Sequence, residues 1–456
     1  MTITNFFNTY RLPIFALIGA VLFSAFTIWA GIPERGLPAF LAGLGVFLVL
    51  TLFFAGLAWH LLARPLPPGQ KQLRAEFLSP TLRRLFAVLL LAAGISLVIG
   101  GFWDEVGHRK YGLPFGEDLL WRPHLLIYFG LLTPPALAAF TFLRMLREGV
   151  GSLQQRFRAD PPAGLLVLAG VFLLYTVPAD PIWHTIYGED ITAWSLSHLL
   201  LLVGVTLVML LAVVMQLSTT PPQPWNSILR RSWDELLALL AFTFAFQLQL
   251  QVMITDWENG NPALTGRPEW LLPAMLIGLG IFMGVAANRS LRVYGAASLL
   301  GTLTLLLRWG LIQIFDFPAI QAESWLGILP PLLALDLLYA LRVWRGQGPP
   351  RALAAGLAAT LGLVIGSLPL MAPVFDYPNI TLAAVPGMAL TGFLAALLAA
   401  WTGGVLGEGL ASLSLADSAP ERQAVNLRAV PALVFSFTVL FIIFFIVTAA
   451  PPVNVF

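Results

Sequence analysis

Thirteen long apolar runs, joined by short polar connections, constrain this chain more than any other feature. A helix needs about 20 apolar residues to cross a hydrocarbon core about 30 Å thick, and most of the runs are of this length. A bilayer offers no water to unpaired backbone groups, so such runs predict helices. The sequence therefore predicts an all-α, polytopic transmembrane protein of about thirteen spans. The runs lie at 12–32, 38–62, 83–103, 124–143, 163–179, 196–217, 234–255, 269–287, 293–314, 324–343, 352–372, 383–404 and 430–450.

The composition agrees with the lipid bilayer as the principal partner. Of the 456 residues, 58% are hydrophobic and 11% are charged, whereas soluble proteins carry about 25% charged residues. The formal net charge of +2 gives no indication of a nucleic-acid partner. The chain contains no cysteine, which excludes disulfides, thiolate-bound metals and covalently attached c-type haem within it.

Basic residues are concentrated in alternate connections. With thirteen spans, one side of the membrane holds 19 of the 25 Lys and Arg residues. The positive-inside rule makes that side cytoplasmic. We therefore expect a multi-pass membrane protein with a cytoplasmic N-terminus and with segments 104–124 and 180–198 on the outer face. The residues behind this assignment are Arg11, Arg64, Lys71, Arg74, Arg83, Arg84, Arg144, Arg147, Arg156, Arg158, Arg230, Arg231, Arg289, Arg292, Arg342, Arg345, Arg351, Arg422 and Arg428.

An aspartate recurs after five of the runs. Asp104, Asp180 and Asp256 are spaced by 76 residues, and Asp256, Asp316 and Asp376 by 60. This pattern indicates about five related helical hairpins that open on the outer face. Aspartate often caps a helix end, and we expect such a structural role for the last three. The predicted organisation is an N-terminal helix pair and cytoplasmic loop (1–80), two histidine-bearing hairpins (81–232), and degenerate hairpins with a C-terminal helix (233–456).

The first two hairpins contain four of the five histidines in one shared pattern. Each has an Asp-x3-His pair at the end of one run and a second histidine where the next run begins. Residues four apart lie on one face of a helix, so each pair presents its side chains together. The motif residues are Asp104, His108 and His124 in DEVGHRKYGLPFGEDLLWRPH (104–124), and Asp180, His184 and His198 in DPIWHTIYGEDITAWSLSH (180–198).

Two imidazoles and a carboxylate suit a first-row transition metal. Imidazole binds copper, zinc and iron, and catalytic sites keep an open position for water or substrate. We therefore predict metal binding at both motifs, with copper favoured and iron or zinc as alternatives. Asp118 and Asp190 follow the Asp-x3-His pairs and are further candidate ligands. No catalytic side chain beyond these ligands is predicted.

Two other interpretations of the motifs stay open. The Asp and His side chains can form a hydrogen-bonded network that ties helix ends together near the lipid interface, where aromatic residues are common. The histidine pairs can also be axial ligands of a b-type haem, although their position near loop ends fits this less well. The fifth histidine, His60, lies near the cytoplasmic end of the second run and is interpreted as a polar helix contact.

The second motif resembles the copper-binding segment of the C subunit of the copper membrane monooxygenases, which oxidise methane or ammonia. That segment has the order Asp, three residues, His, twelve residues, His, with a Ser-His pair at its end. In this chain thirteen residues separate His184 from His198, Ser197 precedes His198, and fifteen residues separate His108 from His124. The resemblance implies that the six motif residues are copper ligands. It also implies oxygen activation in the membrane, electron donors and companion membrane subunits.

The sequence thus leads to three hypotheses about function. The first is an integral membrane metal-binding protein, with copper-dependent, monooxygenase-like oxidoreductase activity. The second is a transporter of metal or a small solute, or a metal-handling assembly factor, in which Gln247, Gln249 and Gln251 line a polar path. The third is a structural subunit of a membrane complex, in which the Asp–His pairs fix helix ends.

Overall fold

The computed structural model describes residues 37–71, 73–111, 121–187, 196–221, 223–258, 270–316, 327–371 and 382–414. Nearly all of this part of the chain is helical. Two short strands, β1 (Asn226–Ser227) and β2 (Val293–Tyr294), pair in parallel. The α-helices are α1 (Leu37–Ala58), α2 (Pro80–Tyr111), α3 (Arg122–Glu148), α4 (Leu153–Ala159), α5 (Pro161–Tyr187), α6 (Leu196–Leu217), α7 (Trp233–Glu258), α8 (Leu271–Leu291), α9 (Ala296–Phe315), α10 (Leu329–Trp344), α11 (Ala352–Gly362), α12 (Leu368–Met371) and α13 (Val385–Ala411). One turn of π-helix, Trp59–Ala63, follows α1, another, Leu363–Ser367, joins α11 to α12, and a 3₁₀ turn, Ile228–Arg230, follows β1.

A helix occupies every predicted run that falls within the described residues, so the all-α class is confirmed. Among those residues, eight helices are long and apolar enough to cross a membrane. A ninth crossing results if α4 and α5, which meet at a bend of 116°, are counted as one. The predicted runs at 12–32 and 430–450 lie outside the described residues, and the number of thirteen spans stays a prediction, as does the grouping into hairpin repeats.

Several helices are longer than the apolar runs that predicted them, and two of these extensions contain the Asp-x3-His pairs. The run at 83–103 lies within α2, which continues to Tyr111, and the run at 163–179 lies within α5, which continues to Tyr187. Each extension is about two turns. As a result, both Asp-x3-His pairs lie on helical backbone at the ends of these helices.

The helices α2, α3, α5 and α6 form a closed ring. Neighbouring pairs in the ring pack against each other, and α2 and α6 close it. Glycine allows the closest approach: a Cβ at Gly130 of α3 would lie 2.7 Å from the carbonyl oxygen of Ala93 in α2. In lipid, where apolar contact alone gives little gain, such close packing is a main source of helix association. The ring therefore holds its four helix ends in fixed relation.

The remaining long helices form a second group. Helices α8, α9, α10, α11 and α13 pack side by side, with the most extensive contact between α8 and α13. Helix α7 lies between the groups and touches α6, α8, α9 and α2. Helix α2 also reaches the second group, because Phe102 and Val106 pack with Leu311, Ile312 and Phe315 of α9. Helix α2 is thus a member of the ring and a neighbour of α7 and α9.

Polar networks stabilise the end of the bundle that the charge pattern predicts to be cytoplasmic. At the bend between α4 and α5, Asp160 is buried and accepts hydrogen bonds from the backbone N–H groups of Phe77, Leu78 and Ala163. Its carboxylate also pairs with Arg83 of α2 at 2.9 Å. In the second group, Asp336 of α10 accepts hydrogen bonds from Asn288 of α8 and Ser298 of α9. Each network joins three segments of the chain.

Several large apolar side chains point outward from the helices. Leu132, Phe140 and Leu143 of α3 are exposed, as are Leu333 and Leu337 of α10. Exposed apolar surface of this extent is uncommon on soluble monomers but is expected where helices face lipid. The outer surfaces of α3 and α10 are therefore consistent with contact with a bilayer.

Candidate metal centre at one end of the helix ring

One face of α2 near its C-terminal end packs closely against α3. Gly100, Asp104 and Gly107 are spaced by four and three residues and so share this face. A Cβ at Gly100 would lie 2.9 Å from the carbonyl oxygen of Pro123, and one at Gly107 would lie 2.2 Å from the ring of Trp121. The two glycines therefore let the start of α3 lie directly against α2, on either side of Asp104.

The start of α3 is determined by its sequence. Proline is favoured in the first turn of a helix because its missing N–H has no intrahelical partner there. Pro123 occupies this position, and α3 begins at Arg122. His124 is consequently fixed in the first turn, as the sequence predicted. Its ring contacts Trp121 edge-on, with centroids 5.3 Å apart, and lies 6.1 Å from the ring of Tyr128.

Asp104 and His124 meet across the interface between α2 and α3. The Nε2 atom of His124 lies 3.1 Å from the Oδ1 atom of Asp104. The side chains are 18% and 23% exposed, whereas the Oδ1 atom of Asp104 itself is buried. The sequence pattern had grouped these residues, which are twenty positions apart, and the structure brings them together.

The 3.1 Å separation is compatible with two kinds of chemistry. It is the length of an ordinary hydrogen bond in which an imidazole N–H donates to a carboxylate. It is also the separation of adjacent ligands on one metal ion, because ligand bonds of about 2.0–2.2 Å at angles of about 90–110° put donor atoms roughly 2.9–3.4 Å apart. The pair can therefore close on an ion with little movement of the backbone.

The structure describes the other predicted ligands to different extents. His108, Asp180 and His184 are on the helical backbone of α2 and α5, but their side chains lie outside the described part. His198 is half-buried in the first turn of α6, as predicted. Asp118 and Asp190 lie outside the described residues altogether. Among the side chains that are described, no three of the His, Asp and Glu residues come close enough to hold a metal ion.

The ring of helices relates the two motifs to each other. Asp104 and His108 are on α2, His124 on α3, Asp180 and His184 on α5, and His198 on α6. Every motif position is in the last turns or the first turn of its helix, at the outer end in the predicted orientation. Since these four helices form one closed ring, both motifs belong to the same end of one bundle.

A further contact at the same end of α2 was not predicted from the sequence. The Nζ atom of Lys110 donates hydrogen bonds to the carbonyl oxygen of Phe315, at 2.9 Å, and to the carboxylate of Asp316, at 3.1 Å. Asp316 follows α9 with a left-handed backbone, φ 49°, and the structural role expected for it stays a prediction. No local pattern could predict the pairing, because 206 residues separate the partners.

His60 lies apart from this centre. It is exposed in the π-helical turn after α1, and its Nδ1 atom lies 3.4 Å from Nη1 of Arg64. The contact is polar and local, in agreement with the sequence interpretation.

Comparison with known protein families, curated proteins and solved structures yields no match for this chain.

Proposed function

We propose that this membrane protein binds a transition-metal ion at the outer end of the α2–α3–α5–α6 ring. One ligand set is Asp104, His108 and His124, and the other is Asp180, His184 and His198, with Asp118 and Asp190 as further carboxylates. The contact between Asp104 and His124 is the observation that carries the proposal. Two residues from different helices, grouped beforehand by their spacing, lie at a separation that suits two ligands of one ion.

Copper is the metal that we favour, with iron or zinc as the alternatives. Imidazole nitrogen is a good ligand for all three ions, and two imidazoles with a carboxylate leave coordination positions open. Bound copper would supply redox chemistry towards oxygen, which is why we propose a copper-dependent, monooxygenase-like oxidoreductase. The residues of this chain would hold the ion, and Trp121 and Tyr128 beside His124 would restrict the orientation of its ring.

Because the four helices form one closed ring, both ligand sets can face the same space at the end of the ring. Helix ends within one four-helix ring are separated by one or two helix diameters, about 10–20 Å. Two ions at that distance can be held separately, or a single ion can be shared if the two sets converge. Metal stoichiometry distinguishes these arrangements, with two equivalents for separate sites and one for a shared site.

A structural role is the second candidate, and the same contact favours it. A hydrogen bond between Asp104 and His124 would tie α2 to α3 without any metal. In that case the ring is a rigid part of a larger membrane complex. The experiment must therefore separate loss of a ligand from loss of a helix contact.

Metal analysis of the purified protein makes this separation. We expect about one or two equivalents of copper, iron or zinc in the wild type, and loss of bound metal in His108→Ala, His124→Ala and His184→Ala, because each variant removes one imidazole from a ligand set. His60→Ala is the matched control, since it removes an imidazole far from the motifs and should leave metal content unchanged. A wild type that stays metal-free after loading with excess Cu²⁺, Fe²⁺ and Zn²⁺ would overturn the proposal. If in addition His124→Ala alone lowers the melting temperature, the structural role is the better explanation.

A further inference from the structure

Three helices that pack against each other carry buried polar side chains in the middle of the bundle. Helices α2, α7 and α9 are in mutual contact. Ser96 of α2, Gln247 and Gln251 of α7, and Thr304 and Arg308 of α9 are all more than nine-tenths buried. Ser96 lies halfway along α2, so this polar layer is at mid-membrane depth if α2 crosses the bilayer. Polar and ionisable groups at such depth are costly and usually serve a function.

The contact between α2 and α9 puts Ser96 and Arg308 at one level. The rings of Trp103 and Phe315 are stacked with centroids 5.6 Å apart. Ser96 lies seven residues before Trp103, and Arg308 lies seven residues before Phe315. Seven residues are close to two helical turns, about 10 Å. Ser96 therefore lies on the same face of α2 as Trp103, and Arg308 lies on the same face of α9 as Phe315. The guanidinium carbon of Arg308 also lies 5.5 Å from the centre of the Phe102 ring, on the side of α2.

Gln247 reaches the same level from α7. Leu237 of α7 lines a small cavity together with Val88 and Leu91 of α2. Gln247 lies ten residues beyond Leu237, and Ser96 lies eight beyond Val88. Three crossings, α3, α5 and α6, separate α2 from α7, so the two helices run in the same direction. At about 1.5 Å per residue, Gln247 and Ser96 differ in depth by roughly 3 Å.

The hydrogen-bonding groups of this layer call for a polar partner. Both the amide nitrogen and the amide oxygen of Gln247 are buried without a hydrogen-bond partner in the described structure, as are the hydroxyls of Ser96 and Thr304. Nearly all buried polar groups in proteins are hydrogen-bonded, since leaving them unpaired is unfavourable. Four such atoms on three touching helices therefore indicate a bound polar species.

The donors favour an oxyanion as that species. A primary amide provides two N–H donors, each hydroxyl provides one, and a guanidinium provides five in a planar fork that matches a carboxylate. With five N–H donors, the guanidinium of Arg308 can keep the contacts that it makes within the protein and still donate to a bound oxyanion. We propose that Ser96, Gln247, Thr304 and Arg308 form a second site, between α2, α7 and α9, that binds the carboxylate of a small solute. This site uses none of the proposed metal ligands and is independent of the metal proposal.

The absence of cysteine from the sequence allows a direct test. Ser96→Cys and Thr304→Cys are nearly isosteric substitutions, and thiosulfonate reagents react with the thiolate, which forms only where water can enter. Ala93→Cys is the matched control, because Ala93 is equally buried on α2 but its carbonyl faces Gly130 of α3. We expect anionic sulfonatoethyl thiosulfonate to modify Ser96→Cys and Thr304→Cys about tenfold or more faster than Ala93→Cys, since a site of positive potential concentrates anions.

The Ser96→Cys variant then tests the sign of the electrostatic potential at the site and the binding of a carboxylate there. Relative to reaction with free cysteine in water, the anionic reagent should be preferred over the cationic trimethylammonioethyl reagent, and acetate should slow the reaction. Arg308→Gln should abolish the preference, Arg308→Lys should keep it, and Gln247→Leu should weaken protection by acetate. The proposal is overturned if folded Ser96→Cys and Thr304→Cys react no faster than Ala93→Cys, if the cationic reagent is preferred, or if acetate gives no protection.

Discussion

Asp160 shows how a single charged side chain can organise the end of a membrane bundle. Its carboxylate is sealed from water and accepts three backbone N–H groups and the guanidinium of Arg83. Burial raises the pKa of this carboxyl, while Arg83 and the backbone donors act in the opposite direction. The side chain thereby joins the segment before α2 to the start of α5. Removing it leaves a buried arginine with its main anionic partner gone.

At this scale we predict that Asp160→Ala destabilises the protein by about 3–5 kcal/mol, the usual cost of breaking a buried ion pair from one side. The measurement is the free energy of unfolding, or the melting temperature, of the detergent-purified protein. Glu148→Gln is the matched control. It breaks the exposed pair of Glu148 with Arg144 on α3, which should cost about 0.5 kcal/mol or less. Equal effects of the two substitutions would contradict the structural role of Asp160.

The hairpin of α2 and α3 shows what the sequence could and could not predict. The apolar runs indicated where each described helix lies, and the spacing of the motif grouped Asp104 with His124. Hydropathy could not predict that α2 continues to Tyr111, because the charged residues after Trp103 end the apolar signal although the backbone stays helical. The contact of Lys110 with Asp316 was equally hidden, since it depends on how two distant helices pack.

At the level of the helix pair, two glycines of α2 make a matched test. A Cβ at Gly107 would collide with Trp121, whereas one at Gly101 meets nothing within 4 Å. We expect Gly107→Ala to destabilise the protein by about 1–3 kcal/mol through overpacking, and Gly101→Ala to be neutral or stabilising by up to about 1 kcal/mol. Gly107→Ala should also lower metal content, because it pushes the start of α3 and His124 away from Asp104. Unchanged metal binding in a destabilised Gly107→Ala protein would argue against ligation by this pair.

For the molecule as a whole, the orientation in the membrane is the property on which the functional proposals depend. The prediction places the loop that follows α1 in the cytoplasm and the turn before α13 outside. Gln70 in that loop and Leu382 in that turn are both exposed. In a chain without cysteine, Gln70→Cys and Leu382→Cys each introduce a single thiol. A membrane-impermeant maleimide should label only Leu382→Cys in intact cells and both variants after lysis, and the reverse pattern would invert the topology.

Helix α2 takes part in the ring, touches α7 and α9, and carries both Asp104 and, eight residues earlier, Ser96. A rigid helix that contributes to two sites transmits strain between them. If a metal ion pulls the outer end of α2 towards His124, the level of Ser96 shifts with it, by a small displacement along or about the same axis. Thermodynamic reciprocity then applies: whatever factor the metal imposes on the affinity for a carboxylate, the carboxylate imposes on the affinity for the metal. Metal binding at Asp104 and carboxylate binding at Ser96 would thus be coupled through the segment of α2, about 12 Å long, that separates the two residues.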